Sequence, residues 1–432
     1  MPDYRKKRRN GVFSSPAKVK KSRIQKDNIN SNIAMSSSKR LKNKAESKGA
    51  MRVVKGKKLE QRRRNRIGLV VISLIAVLIA VLQLILPAGI IETASNGLAL
   101  LGSGSYPIEL ESTETMDTVS RGLYYYVLSN EEVSAFSNSG KKLFSYYHGF
   151  ENPIIKTSQT RAIVFSQGGT QALVFDLRGL ITDVTTNKSI ITAAISDSGR
   201  FAIASRSDKY TAEVKVYDKR AKTVYEWYSA EDTVNNIALS ANGKKIAVST
   251  FNSASGQYKA TLNVLNFKSA TPEYKESFEN TLIYTINSTH RSAFTVVTSG
   301  SIKFIKWSNF KSNEYKNDYP TAFFRAGKGG YLAVFNRESD KTDNRIALFS
   351  KSGELKAELK YKGIISDIQV SSGHIYCIND TEINLLSNEG EILRNASCGF
   401  GVVKLSVTGT NSVAVITDNK IERIKLEQEQ KK

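Results

Sequence analysis

The chain has 432 residues, of which 63 are Lys or Arg and 40 are Asp or Glu, for a formal net charge of +23. That length leaves room for more than one unit, and the charge alone would suggest a nucleic-acid partner. Its placement weakens that suggestion: residues 1–66 hold 23 basic and 4 acidic side chains, while the remainder is nearly balanced at 40 against 36, as ordinary solvated surfaces are.

The basic segment 1–66 runs through YRKKRRN, KVKKSR and RRRNR. Ser, Asn and Lys fill the gaps with no sustained apolar period, so it cannot bury enough apolar surface to offset the entropy of ordering. It is expected to be a disordered tail. Residues 67–91, IGLVVISLIAVLIAVLQLILPAGII, carry no charge. The strongly apolar part, Ile67 to Leu86, is long enough as a helix to cross about 30 Å of hydrocarbon, and the sequence predicts one uncleaved transmembrane helix here. Arg62, Arg63, Arg64 and Arg66 abut its N-terminal end, whereas no Lys or Arg follows until Arg121. By the positive-inside rule the tail is cytoplasmic and the bulk of the chain extracytoplasmic, a single-pass protein of the cell membrane. Those four arginines are the candidate membrane-surface residues, and anionic lipid headgroups are the expected partner of the tail.

After a linker at 92–104, the pattern changes to short β-rich runs separated by Gly, Ser, Asn and Asp. An early apolar residue of one strand type recurs at Tyr124, Ala162, Phe201, Ile246, Phe294, Leu332, Ile375 and Val413, with gaps of 38 to 48 residues. A second marker, the strand end before an outer hairpin, recurs at Phe136, Phe175, Tyr217, Phe267, Trp307, Phe349, Leu386 and Ile424, with gaps of 37 to 50. Two markers in one phase define a repeat of blade size. Four strands of this length cannot bury both faces alone, and radial packing of such sheets solves the problem. Residues 105–427 are therefore expected to form an all-β propeller of eight blades, or alternatively seven, ahead of a charged tail at 428–432. Tyr106 to Ser112 would supply the last strand of the final blade. Larger gaps at Ser253 to Tyr258 and Ser269 to Glu279 mark longer loops in the fourth blade.

AISDSGRFAIAS with VKVYD, and ALSANGKKIAVS, resemble WD40/YVTN-type propeller repeats; ALFSKSGELKAEL is similar to the outer hairpin of quinoprotein-like propellers. With a basic tail and one anchor, the layout resembles a Gram-positive bacterial family whose domain has no assigned function. The resemblance covers residues 105–427 and implies a fold, not an activity.

Chemistry is sparse. His148, His290 and His374 fall in three different blades, and no His-x-His, His-Glu-x-x-His or Cys-x-x-Cys occurs, so no metal residue is nominated. No nucleophile elbow or phosphate-binding glycine loop appears. Carboxylate pairs such as Glu131 with Glu132 sit at hairpin turns, where solvated charge is the default. Tyr124, Tyr125 and Tyr126 should send alternate rings into opposite seams, as packing residues. Cys377 and Cys398 fall on strands with another strand between them, which favours two free thiols over a disulfide and leaves their pairing for the structure to decide. No catalytic residue and no cofactor are nominated. The expected function is a non-enzymatic binding or scaffold module at the cell envelope, with a protein or envelope polymer on the propeller. An envelope hydrolase or lyase ranks second, and a sensor acting through the tail third.

Overall fold

The computed structural model describes residues 96–428 apart from 112, 113, 255, 289, 328 and 380, together with the helical residues 66–71 and residue 73. Arg62, Arg63 and Arg64, the rest of the tail and most of the apolar run 67–91 lie outside the described residues. Arg66 lies within them, solvent-exposed on the short helix. Among the described residues no helix is long and apolar enough to cross a membrane.

Residues 108–428 form eight antiparallel sheets. Blade 1 comprises Thr115–Ser120, Tyr124–Ser129, Glu132–Ser137 and Lys142–Tyr147. Blades 2 to 7 repeat that order, each strand hydrogen-bonded to the next in sequence. Blade 8 takes three strands from 404–425 and its fourth from Ile108–Glu109, with Ile108 opposite Ile421 and Glu109 opposite Lys420. The two ends of the propeller are thus joined in one sheet, as the Tyr106 to Ser112 reading expected. Glu427–Gln428 then continues onto the outer strand of blade 7, opposite Asn395 and Arg394, so the last blade is tied to both neighbours. Eight blades are present, not seven.

The strand burial follows from radial stacking. A second strand such as Tyr124–Ser129 or Ala162–Ser166 is buried at every position, because both of its faces meet a neighbouring blade. An outermost strand such as Lys142–Tyr147 is only partly covered. The apolar side chains accordingly divide into eight clusters, one per seam. Tyr124 and Tyr126 enter the seam between blades 1 and 2, and Tyr125 enters that between blades 8 and 1. Each fully buried ring contributes about 1.5–3 kcal/mol. Burial pushes the Tyr124 hydroxyl up to about 12, and the Tyr126 hydroxyl well above its ordinary value.

The turns behave as the glycine spacing predicts. Gly140 and Gly353 hold φ of +85° in third-to-fourth-strand hairpins, where a side chain would be strained. Two expectations change: of Ser269 to Glu279 only 269–273 is a connection, because Tyr274–Glu279 is the fourth strand of blade 4, with Tyr274 opposite Val264. Ser253 to Tyr258 is not a loop: Lys245–Ala254 and Gln257–Asn266 stay paired to their ends, with Ser253 opposite Tyr258. Paired backbone leaves no polar group unmet, so the extra residues lengthen a hairpin instead of loosening it.

Candidate functional site

Strand direction assigns every connection to one of two faces. First-to-second and third-to-fourth connections share a face with residues 96–105, here the N-terminal face. Second-to-third connections and those between blades form the far face. On the N-terminal face, Asn96 is 6% exposed and donates its amide to the Thr160 carbonyl at 3.0 Å. Lys141 donates to the Ala99 and Leu101 carbonyls at 2.9 and 2.6 Å, ending the turn 96–99. From residue 96 on, the stretch read as linker is seated on blades 1 and 2.

Between the faces runs a central cavity of about 430 Å³, lined by the innermost strands of blades 1 to 7. Its polar lining includes Asp117, Lys156, Asn236, Thr285, Arg325 and Gln369. Enclosure by the ring pulls the Lys156 ammonium below its ordinary range even though the side chain meets solvent in the lumen, and the Asp117 charge opposes the shift. Asp367 is 1% exposed and joins three blades: its Oδ2 accepts the Leu405 N–H at 3.0 Å, and its Oδ1 lies 3.5 Å from Arg325 Nη2. At the N-terminal mouth, Arg121 donates through Nη2 to the Thr157 carbonyl at 3.2 Å. Asp197 accepts the Gln159 N–H at 2.9 Å, and its other oxygen is 3.7 Å from Arg291 Nε. Desolvation raises the Asp197 carboxyl and lowers Arg121. These lumen charges lie in opposite-sign neighbourhoods, and Asp367 is committed to holding blades together.

The three histidines stay apart. His148 stacks on Phe150 at 5.1 Å and His290 meets the Tyr331 ring edge-on at 4.8 Å; His374 opens the second strand of blade 7. Among the described residues no group of three or more His, Cys, Asp or Glu could hold a metal. Cys377 is buried with its thiol pushed up to about 12, Cys398 is half-buried, and both are free. Trp307 packs against Phe294 at 4.3 Å.

The distinctive surface is the far face. The exposed aromatic side chains of the described residues are Tyr147, Tyr210, Tyr228, Tyr258, Tyr284 and Phe400, and every one lies at that end. Phe400 is 93% exposed, between Gly399 and Gly401, both at positive φ. Tyr210 and Tyr228 pack together at 4.9 Å. Leu282 and Ile364 are exposed on the same face, and its connections are acidic through Glu131, Glu151, Glu231, Asp318 and Glu338. Sequence reading missed this surface and the lumen because their residues come from many different blades. The usable signal was parity: once strands are numbered, alternate connections share a face.

The family of unknown function DUF5711 matches over residues 104–426. No curated protein matches the chain. The C-terminal WD40 domain of Sif2 is similar in structure, with a TM-score of 0.52 at 10% identity, covering 76% of this chain and 100% of that one. BamB from Moraxella catarrhalis gives a TM-score of 0.47 at 13% identity, over 75% and 99% of the two chains. A chain of the mitotic checkpoint complex gives 0.44 at 10% identity, over 75% and 95%. At such identities the likeness is one of fold.

Proposed function

The chain belongs to DUF5711, a family of unknown function, and from that premise we propose that it is a non-enzymatic binding module. Residues 67–91 hold it in the cell membrane with the tail cytoplasmic and the propeller outside. The far face takes a protein partner. One observation carries this reading: all the exposed aromatic rings of the described residues lie on one face of the ring. Tyrosine and phenylalanine anchors are what protein interfaces select, since a rigid ring buries large area at little entropic cost. A solvated ring such as Phe400 gains most by being covered. The propeller likeness supports a scaffold, and the acidic connections favour a partner that presents basic residues.

Site-specific photocrosslinkers at Phe400 and Tyr284, compared with one at Leu123 on the N-terminal face, test this in the full chain in its own membrane. The expected result is one common protein adduct from both far-face sites, absent from Leu123 and lost in Tyr210→Ala/Tyr258→Ala. Adducts that survive protease would instead identify an envelope polymer. Equal adducts from both faces, or none from the far face, would overturn the reading. Protease added to protoplasts should digest the propeller and spare the tail.

A further inference from the structure

The two faces differ in charge as well as in aromatic content. Among the described residues, the connections of the N-terminal face hold thirteen Lys or Arg against six Asp or Glu. Those of the far face hold ten Asp or Glu against three Lys or Arg. A domain near neutral overall is therefore polarised along its ring axis. The exposed part of the basic set includes Lys219, Arg220, Lys222, Lys244, Lys268 and Lys311, an arc across blades 3 to 5. Apolar groups complete the same face on the other side of the ring: Leu98, Leu101 and Leu123 are 68%, 66% and 67% exposed around the docked N-terminal stretch.

We propose that the N-terminal face rests on the anionic headgroup surface of the membrane, with the lysine arc in contact with lipid charge and the three leucines dipping into the interface. The inference rests on the reading of 67–91 as a membrane span and adds an orientation to it. Asn96 is fixed on this face, and the apolar run ends at Ile91. Five residues of extended chain reach at most about 18 Å, so this face cannot move far from the bilayer. Over that distance a tether alone would still permit tumbling. The charge polarity removes it, because the surface attracts one face and repels the other, and both effects turn the ring the same way. Screening at physiological salt acts over about 8 Å, so the orientation needs close approach, and the leucines reward it. The far face then points away from the bilayer with its aromatic rings accessible.

The test uses the full chain reconstituted into phosphatidylcholine vesicles with or without about 30% phosphatidylglycerol, with a headgroup-labelled acceptor lipid. Cys398 sits on the far face and is half-buried, while Cys377 is fully buried, so a maleimide donor reports position 398. Lys219→Cys in a Cys398→Ser background reports the N-terminal face. Energy transfer from 219 should exceed that from 398 at least threefold in phosphatidylglycerol vesicles, and should converge with it at high salt or in phosphatidylcholine alone. Charge reversal at Arg220, Lys222, Lys244 and Lys268 to Glu should abolish the difference while the chain still resists carbonate extraction. Equal transfer from 219 and 398 at low salt, or orientation that survives charge reversal, overturns the proposal. Should carbonate extract the chain, the span reading falls separately. Co-flotation with phosphatidylglycerol vesicles that charge reversal abolishes would then sustain the headgroup contact, and absence of co-flotation would end it.

Discussion

Replacing Asp367 should show how far a single side chain holds the ring together. Its carboxylate is 1% exposed and spans from blade 7 to the Leu405 N–H of blade 8 and the Arg325 guanidinium of blade 6. Asp367→Ala leaves the Leu405 N–H buried without an acceptor, which costs about 1–3 kcal/mol. The Arg325 side chain is 31% exposed, so water can resolvate it, and its share stays at or below about 1 kcal/mol. The expected loss is about 1–4 kcal/mol. Asp367→Asn keeps an oxygen for the Leu405 N–H and loses only the charge, so about 1 kcal/mol is expected. Urea unfolding of the full chain in micelles, followed by the fluorescence of Trp227 and Trp307, measures both. An Asp367→Ala variant within about 0.5 kcal/mol of the parent, or an Asn variant as costly as the Ala variant, would refute the clamp.

Two further outcomes are expected. Gly353 and Gly168 share a φ of +85°, but a Cβ on Gly353 would sit 2.2 Å from Phe304, while one on Gly168 meets nothing within 4 Å. Gly353→Ala should therefore cost about 2–4 kcal/mol in the same urea assay, strain plus overpacking between blades 5 and 6, and Gly168→Ala about 1 kcal/mol; equal costs would dismiss the seam contact. Acidification should destabilise the first blade through His148, whose ring accepts the Phe150 N–H at 3.0 Å and whose pKa burial lowers. A depressed folded pKa means the contribution is present above the ordinary histidine range near 6.5 and is lost as pH falls through the folded value. The urea midpoint should fall between pH 7 and 5, less steeply in His148→Asn, and a parallel pH profile for that variant would exclude the assignment.

Much of the scaffold is legible in the residues because its rules are local. Gly140 and Gly353 mark turns that need positive φ, and the two apolar markers return once per sheet. Three consecutive tyrosines at 124–126 announce two apolar faces on one strand, which only seams on both sides can satisfy. Closure by Ile108–Glu109 was also readable, since blade 8 lacked a strand and an apolar run stood unused at the other end. The sequence was less informative wherever a property belongs to several blades at once. Ser253 to Tyr258 looks like a loop by composition, yet its backbone pairs to the tip. Asp367 stands out in no sequence pattern, because its partners Leu405 and Arg325, far apart in sequence, arrive beside it only in the ring. Blade period, turn chemistry and the uneven charge of residues 1–66 were determined by the sequence alone, through backbone geometry and the cost of unburied apolar surface. The lumen, the clamp at Asp367 and the division into a basic face and an acidic, aromatic one were decided only by the closed ring, because closure turns the parity of each connection into a position in space.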